Sequence, residues 1–337
     1  MQRAIELSSL GLGYAAPNPL VGCVIVHDDK IIGEGWHRQF GEAHAEINAL
    51  KSVQDKSLLR DATLFVTLEP CAHYGKTPPC SIEIVRSGIR KVVVATSDPF
   101  PKVAGRGLQQ LRDAGIDVKE GLLAEKARFV NRRFLINQLE NRPYIILKWA
   151  QSADGFMDAA RETNQLGSIR ISGDDARRLT HRWRSEEAGI LVGVRTVMVD
   201  NPLLTCRYWE GRNPIRIVLD RNEMLSGKES IFNEDAPTIH CTSNWLEAGK
   251  AEMTSDEFTS NVIPKLYEQG ISSILVEGGQ RTLKHFLQSG MWDELRIFTS
   301  QNKFENGLKA PQPPKTPEQR IQLESDVLEV YYRKSNF

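Results

Sequence analysis

The sequence is short of cysteine, has no excess of one charge and contains no long hydrophobic run. Five cysteines in 337 residues is a small and odd number, which argues against a disulfide framework and leaves each thiol to be read for its own chemistry. Lys plus Arg and Asp plus Glu both total 43, so no global field favours nucleic acid or a membrane surface. A small-molecule substrate is the expectation, with no nucleic-acid or membrane partner. No apolar run reaches the length of a membrane span, and Met1 to Gly13 carries Glu6 where a signal segment would be continuously apolar; a cytoplasmic protein is expected. No Gly-x-Gly-x-x-Gly follows the first strand of the second half, so a Rossmann dinucleotide site has no support. No internal repeat or long low-complexity segment is present, and the two halves read as different folds.

What is present is concentrated between residues 44 and 80. His44, Cys71 and Cys80 supply three zinc ligands, the count of a catalytic site that keeps its fourth position for water. Two thiolates and a neutral imidazole balance the dication, and coordination lowers the pKa of water to about 7. Glu46, two positions after His44, is then free to move protons. His-x-Glu with Pro-Cys-x-x-Cys is the zinc deaminase signature, in which the glutamate is acid and base and not a ligand, and here the cysteines are nine positions apart, not three. Positions two apart on an ideal helix are separated by about 200°, so His44 and Glu46 are expected at a helix's first turn. An alternative is a closed structural site with His73 as fourth ligand, which leaves Glu46 without a task. Cys23, Cys206 and Cys241 read as buried thiols without a chemical role.

At 337 residues, with 40% hydrophobic and 26% charged composition, two globular domains are the default expectation. The first half alternates helix and strand. A helix is expected over 2–12, a hairpin over 22–26 and 30–35 around Asp28-Asp29, a helix over 43–51 and a strand over 63–68. A helix after Cys80, a strand over 91–95 and a helix over 107–114 complete a mostly parallel sheet covered on both faces, an α/β/α sandwich. The zinc ligands would lie at the beginnings of two helices, where the dipole favours thiolate. Charged helical residues over 124–140 end this domain, and Asn141-Arg142-Pro143 is the expected linker, giving domains 1–141 and 142–337. The second half restarts with strands expected over 144–150, 189–194, 215–219, 238–241, 271–276, 294–299 and 327–332.

The segment Pro70-Cys71-Ala72-His73-Tyr74-Gly75-Lys76-Thr77-Pro78-Pro79-Cys80, preceded by Asn18-Pro19-Leu20-Val21-Gly22, resembles the deaminase half of the bifunctional riboflavin-biosynthesis deaminase/reductase family. Its nine-position cysteine interval separates it from nucleoside, tRNA and nucleic-acid editing deaminases. Ala95 to Gly107 resembles the polar loop that closes the same domain. Leu191 to Arg207 and Ile274-Leu275-Val276-Glu277-Gly278-Gly279 resemble the reductase half, which is similar in fold to dihydrofolate reductase.

The resemblance implies a cytidine-deaminase-like α/β/α sandwich followed by a dihydrofolate-reductase-like α/β domain, one zinc ion per chain, NADPH and a homo-oligomer, dimer or tetramer. It implies zinc-dependent deamination of 2,5-diamino-6-ribosylamino-4(3H)-pyrimidinone 5′-phosphate, a pyrimidine ribosyl phosphate, followed by reduction of the ribosyl group to ribityl. Substrate contacts are implied for Asn18, His37 and Lys76 in the first half, and for Ser168, Arg184, Leu204, Arg207 and Glu277 in the second. Cofactor contacts are implied for Ala150, Thr196, Asp200, Gly278 and Gly279. Arg184 and Arg207 suit the sugar phosphate through bidentate hydrogen bonding. Lys148, Asp200 and Glu277 are candidates for opening the ribosyl ring and protonating oxygen while hydride arrives. The chain departs from the family at Arg170, where tryptophan is common, at Ser152-Ala153-Asp154-Gly155-Phe156 and in the slightly long run from Met157 to Gly167. Two other readings stand beside this one. One is a deaminase of another aminopyrimidine or purine with a degenerate reductase-like half, and the other is a zinc-stabilised nucleotide-binding protein.

Overall fold

Asp28 and Asp29 take left-handed backbone angles, φ 47° and 57°, and turn β1 (Gly22–His27) tightly back into β2 (Lys30–Trp36). Short polar side chains tolerate that region, and the twist of such a turn suits a hairpin. The hairpin opens the sheet of the first of two compact units, Met1–Asn141 and Arg142–Asn336. The computed structural model describes all residues except 75–77, 99–104, 163–164, 247–252 and 334–337.

In the first unit α1 (Gln2–Ser8) precedes the hairpin. After it come α2 (Ala45–Ser52), β3 (Thr63–Val66), α3 (Cys80–Arg86), β4 (Lys91–Val94), α4 (Arg106–Asp113), β5 (Asp117–Glu120), α5 (Ala124–Val130) and α6 (Arg132–Glu140). The strand order is β2-β1-β3-β4-β5. The expectation of a mostly parallel sheet is corrected here. β1 runs antiparallel to both neighbours, and only β3, β4 and β5 are mutually parallel. A two-residue turn forces the antiparallel pairing, while each helical crossover restores parallel pairing.

Side-chain alternation along β1 divides the unit into layers. Cys23 and Ile25 join Ala45, Ala49, Ile84, Leu108 and Leu111 of α2, α3 and α4 in one core. Val24 packs on the opposite face with Ala4 and Leu7 of α1. The three-layer sandwich holds α4 close to the residues that precede Cys71. A Cβ on Gly107 would lie 1.9 Å from the Pro70 carbonyl oxygen. Gly107→Ala is therefore expected to destabilise this unit by about 1–3 kcal/mol through overpacking, read as a lower urea midpoint, and to weaken zinc retention by displacing Cys71.

The second unit contains β6 (Tyr144–Gln151), β7 (Phe156–Ala159), α7 (Asp174–Glu186), β8 (Gly189–Gly193), α8 (Val194–Asp200), β9 (Ile215–Leu219) and β10 (Thr238–Cys241). It continues with α9 (Ser255–Glu268), β11 (Ser273–Gly278), α10 (Gln280–Ser289), β12 (Glu294–Ser300), β13 (Gly307–Lys309), β14 (Gln319–Gln322) and β15 (Asp326–Tyr332). Its main sheet runs β10-β9-β8-β11-β6-β12-β15-β14, parallel from β10 to β12 and antiparallel beyond. Ile145, Leu147 and Trp149 of β6 enter the large core with residues of α9 and α10. By alternation Lys148 faces the other side. β11 extends through Glu277 and Gly278, beyond the expected end at Val276, and a register shift between Val276 and Gly278 bulges the strand at Glu277. Bulges re-aim side chains. Among the described residues, no helix is long and apolar enough to cross a membrane.

Candidate functional site

His44 is the N-cap of α2, in extended conformation, and Glu46 falls in the first turn, the placement their spacing requires. Cys80 is the first residue of α3. Cys71 is not at a helix start as expected but in the loop after β3. Its thiol still accepts from the Cys80 main-chain N–H at 3.2 Å, so the end of α3 serves both sulfurs. His44 Nδ1 lies 3.6 Å from Cys71 Sγ and 3.3 Å from Cys80 Sγ, and all three donor atoms fall within 4.8 Å of one another. Tetrahedral zinc with ordinary Zn–N and Zn–S bonds separates its N and S ligands by about 3.5 Å. The donor set therefore fits zinc. Hydrogen bonding from Cys80, then from His44, holds the Cys71 thiol well below its usual range against the effect of burial. The shared proton and burial raise Cys80. His73 is exposed and outside the donor cluster, so the closed four-ligand alternative is not formed.

Glu46 is 3% exposed. Burial, and then the negative charge of Cys71, push its carboxyl up to about 7, and it hydrogen-bonds with Cys80. His37 is buried with its ring edge-on to His44, centroids 5.4 Å apart. Its Nδ1 lies 3.2 Å from the Ala43 carbonyl and its Nε2 3.1 Å from Asn18 Nδ2. A carbonyl can only accept and an amide nitrogen can only donate, so His37 carries its proton on Nδ1. Burial lowers its pKa and keeps it neutral. Asn18 and His37 thus belong with the donor cluster, while Lys76 lies outside the described residues.

Glu69 was not singled out from the sequence. It is buried, and its carboxylate accepts from the main-chain N–H groups of Asp98 (3.1 Å), Gly105 (3.0 Å) and Gly107 (2.9 Å). It ties both ends of the loop before α4 to the residue two before Cys71. An acid immediately before Pro-Cys was the available signal. Asn131 is a second such residue, bracketing Leu20 through its N–H (2.7 Å) and carbonyl (2.9 Å) and so fixing the loop that carries Asn18.

In the second unit the bulge at Glu277 faces α7. Arg184 Nε and Nη2 donate to the two Glu277 carboxylate oxygens at 2.8 and 2.9 Å, and Nη1 donates to the Thr205 carbonyl at 3.1 Å. Lys148 Nζ is 3.7 Å from Glu277. Both parallel donors of the Arg184 fork, for which the resemblance implies a substrate contact, are engaged with Glu277. Against burial, Arg184 and then Lys148 hold the Glu277 carboxyl down to about 2. Burial, opposed by Glu277, lowers Lys148. Arg207 Nη1 donates to Thr205 Oγ1 at 3.2 Å.

Leu204 has φ 54° and its side chain lies in the core with Ile190, Val192, Val197 and Val218. Any substrate contact there must come from its main chain. Ser168 is exposed, just after Gly167, whose N–H bonds to the Val199 carbonyl at 2.8 Å. Asp200 ends α8 and pairs with Arg161 at 3.5 Å; burial raises its pKa. Arg170 is exposed and paired with Asp174 at 2.6 Å.

Gly278 has φ 132°, and a Cβ built on it would meet nothing within 4 Å. A Cβ on Gly279, the N-cap of α10, would lie 3.1 Å from Thr196 Oγ1, and one on Gly193 would lie 2.8 Å from Thr282 Oγ1. The start of α10 is thus approached closely by α8 and open above Gly278. Free N–H groups at a helix start beside such a gap suit a dinucleotide phosphate. Ala150, paired with Phe298, lies farther along β6.

Residues 143–300 match the family described as RibD C-terminal domain, and residues 1–96 match the cytidine and deoxycytidylate deaminase zinc-binding region. The chain is 40% identical over 320 residues to riboflavin biosynthesis protein RibD of Aquifex aeolicus, covering 91% of this chain and 88% of that protein. It is 37% identical over 320 residues to RibD of Escherichia coli, covering 88% of this chain and 86% of that protein. A solved structure from Thermotoga maritima, a diaminohydroxyphosphoribosylaminopyrimidine deaminase/5-amino-6-(5-phosphoribosylamino)uracil reductase, is similar with a TM-score of 0.87 and 39% identity, over 98% of this chain and 96% of that chain.

Proposed function

The chain belongs to the RibD family of riboflavin-biosynthesis proteins, and from that premise we propose how its residues divide two reactions between the unit ending at Asn141 and the unit beginning at Arg142. It is a bifunctional enzyme, a zinc-dependent deaminase and an NADPH-dependent reductase, and not a deaminase with a degenerate second half. The first unit removes the 2-amino group of 2,5-diamino-6-ribosylamino-4(3H)-pyrimidinone 5′-phosphate. The second reduces the ribosyl group of the product to ribityl. The observation that carries the first assignment is three donors spaced for zinc beside one buried carboxylate that is not a donor.

His44, Cys71 and Cys80 would hold zinc, which when bound would supply an acidified water as nucleophile. Glu46 receives a proton at its carboxylate and delivers it to the departing ammonia. Asn18 and the neutral His37 line the pyrimidine pocket, and Lys76 is assigned to substrate with them. In the second unit NADPH supplies hydride, with Gly278, Gly279, Thr196, Asp200 and Ala150 assigned to hold it. The ring oxygen of the ribosyl group needs a proton as the ring opens. Glu277, ionised down to about pH 2, cannot give one. Lys148 has a lowered pKa and can, so Lys148 is the acid and Glu277 orients it. Arg207, Ser168 and the Leu204 main chain are assigned to the sugar phosphate. Five free cysteines fit a reducing, cytoplasmic setting. Exposed Leu10, Tyr14 and Phe40 offer apolar surface to a second copy in a dimer or tetramer.

Ammonia release and NADPH oxidation, followed together in the zinc-loaded protein with the diaminopyrimidine ribosyl phosphate, test the assignment. Both signals are expected, ammonia first. NADPH oxidation without prior ammonia release would overturn the order.

A further inference from the structure

The segment that carries Arg207 is held by one helix at three consecutive residues. Arg184 Nη1 donates to the Thr205 carbonyl at 3.1 Å, the Cys206 thiol lies 3.0 Å from the His181 carbonyl, and the Arg207 main-chain N–H donates to His181 Nδ1 at 2.9 Å. All the α7 partners lie within one turn, and His181 provides two of the three contacts. The imidazole is 4% exposed, and its ring edge meets Tyr208 with centroids 4.8 Å apart. The Arg177 guanidinium lies over that phenol ring, 3.6 Å from its centroid.

We propose that His181 is a positioning residue of the reductase, setting the main chain of Arg207 and thereby aiming its guanidinium at the 5′-phosphate of the substrate. The inference rests on the assignment of Arg207 to that phosphate. An N–H donor requires an unprotonated Nδ1, so the imidazole must be neutral with its proton on Nε2. The surroundings impose this: burial, then Arg184 with Arg207 and Arg177, push its pKa down to about 4, opposed only in part by Glu277. Cys206 and Tyr208 complete the titratable groups of this neighbourhood. The local charge is a cluster of arginines with one carboxylate, a setting that attracts a dianion and repels a second proton on the ring.

The test compares His181→Leu, His181→Asn and His181→Gln in the full-length, zinc-loaded protein, with NADPH oxidation measured on the deaminated substrate with and without its phosphate. Losing one main-chain hydrogen bond is expected to raise KM for the phosphorylated substrate about five- to tenfold. The maximal rate should change little, and the preference for phosphorylated over dephosphorylated substrate should shrink by the same factor. Asn places its amide oxygen where Nδ1 lies and should restore most of the loss. Gln reaches instead to the Nε2 position and should not. An unchanged urea midpoint of the second unit reports that each variant is folded there, and ammonia release that the first unit is zinc-loaded. If His181→Leu fails to fold, the Asn and Gln pair carries the comparison. Wild-type KM in His181→Leu, or equal behaviour of Asn and Gln, would overturn the proposal. Arg207→Leu separates the two layers. Should it leave the phosphate preference intact, the assignment of Arg207 falls and the proposal with it. Should it abolish the preference while His181→Gln behaves as wild type, the positioning role alone is overturned.

Discussion

Replacing Glu46 with Gln is expected to leave zinc bound and to slow ammonia release by about 100- to 10,000-fold, the usual contribution of a positioned acid–base group. The substitution is nearly isosteric at a site that is 3% exposed, so the packing of the buried side chain persists. None of the three donor atoms is touched, since Glu46 is not one of them. What is lost is a carboxylate able to accept a proton from the nucleophile and return it to the leaving group. Zinc content by metal analysis should remain one per chain. NADPH oxidation on substrate that has already been deaminated should be unchanged, because that chemistry belongs to the other unit. Ammonia release within a few-fold of the unaltered enzyme would remove Glu46 from the mechanism. Loss of zinc in the variant would instead make it a residue of the metal site.

The deaminase residues were legible because their chemistry is local in sequence. His44 and Glu46 share one helix start, and Cys71 and Cys80 lie nine positions apart, the second opening a helix. The strands read correctly were those with apolar runs, such as Ile215–Leu219, whose observed bounds match the expectation residue for residue. Those missed were short and exposed. Asp117–Glu120, Gly307–Lys309 and Gln319–Gln322 have few buried positions, so no hydrophobic period marked them. Phe156–Ala159 has one fully buried residue, Phe156, with Met157 only partly buried against the core. The pairing of Arg184 with Glu277 was not legible for a different reason. A guanidinium suits a phosphate or a carboxylate equally well, and the bulge that turns Glu277 toward α7 has no signature in the residues themselves. His181 was invisible for the same cause, since it acts on a main-chain group brought near only by the fold.

Glu277→Gln is expected to abolish most NADPH oxidation and to destabilise the second unit by about 3–5 kcal/mol, the penalty for leaving a buried charge without its partner. The amide would keep the shape of the contact with Arg184 but not its charge. Two cations, Arg184 and Lys148, would then face each other with side chains only 11% and 14% exposed. Lys148, already lowered by burial, would lose the nearby anion that opposes the shift and holds its ammonium in place, so the proton it is assigned to give would be less well aimed. The folded carboxyl sits at about 2 against an ordinary 4.5, so its stabilising contribution is complete above about pH 4.5 and disappears as pH falls through about 2. A gap of that size corresponds to about 3 kcal/mol. Urea unfolding of the second unit should therefore lose midpoint on acidification across that window in the unaltered protein, and the Glu277→Gln curve should lack this component. Ammonia release should survive, because the first unit has its own core. A variant that kept reductase turnover with unchanged urea midpoint would show that the Arg184–Glu277–Lys148 cluster neither supports this unit nor tunes its acid. A variant that lost turnover but kept both midpoint and pH profile would confine Glu277 to contact with the substrate.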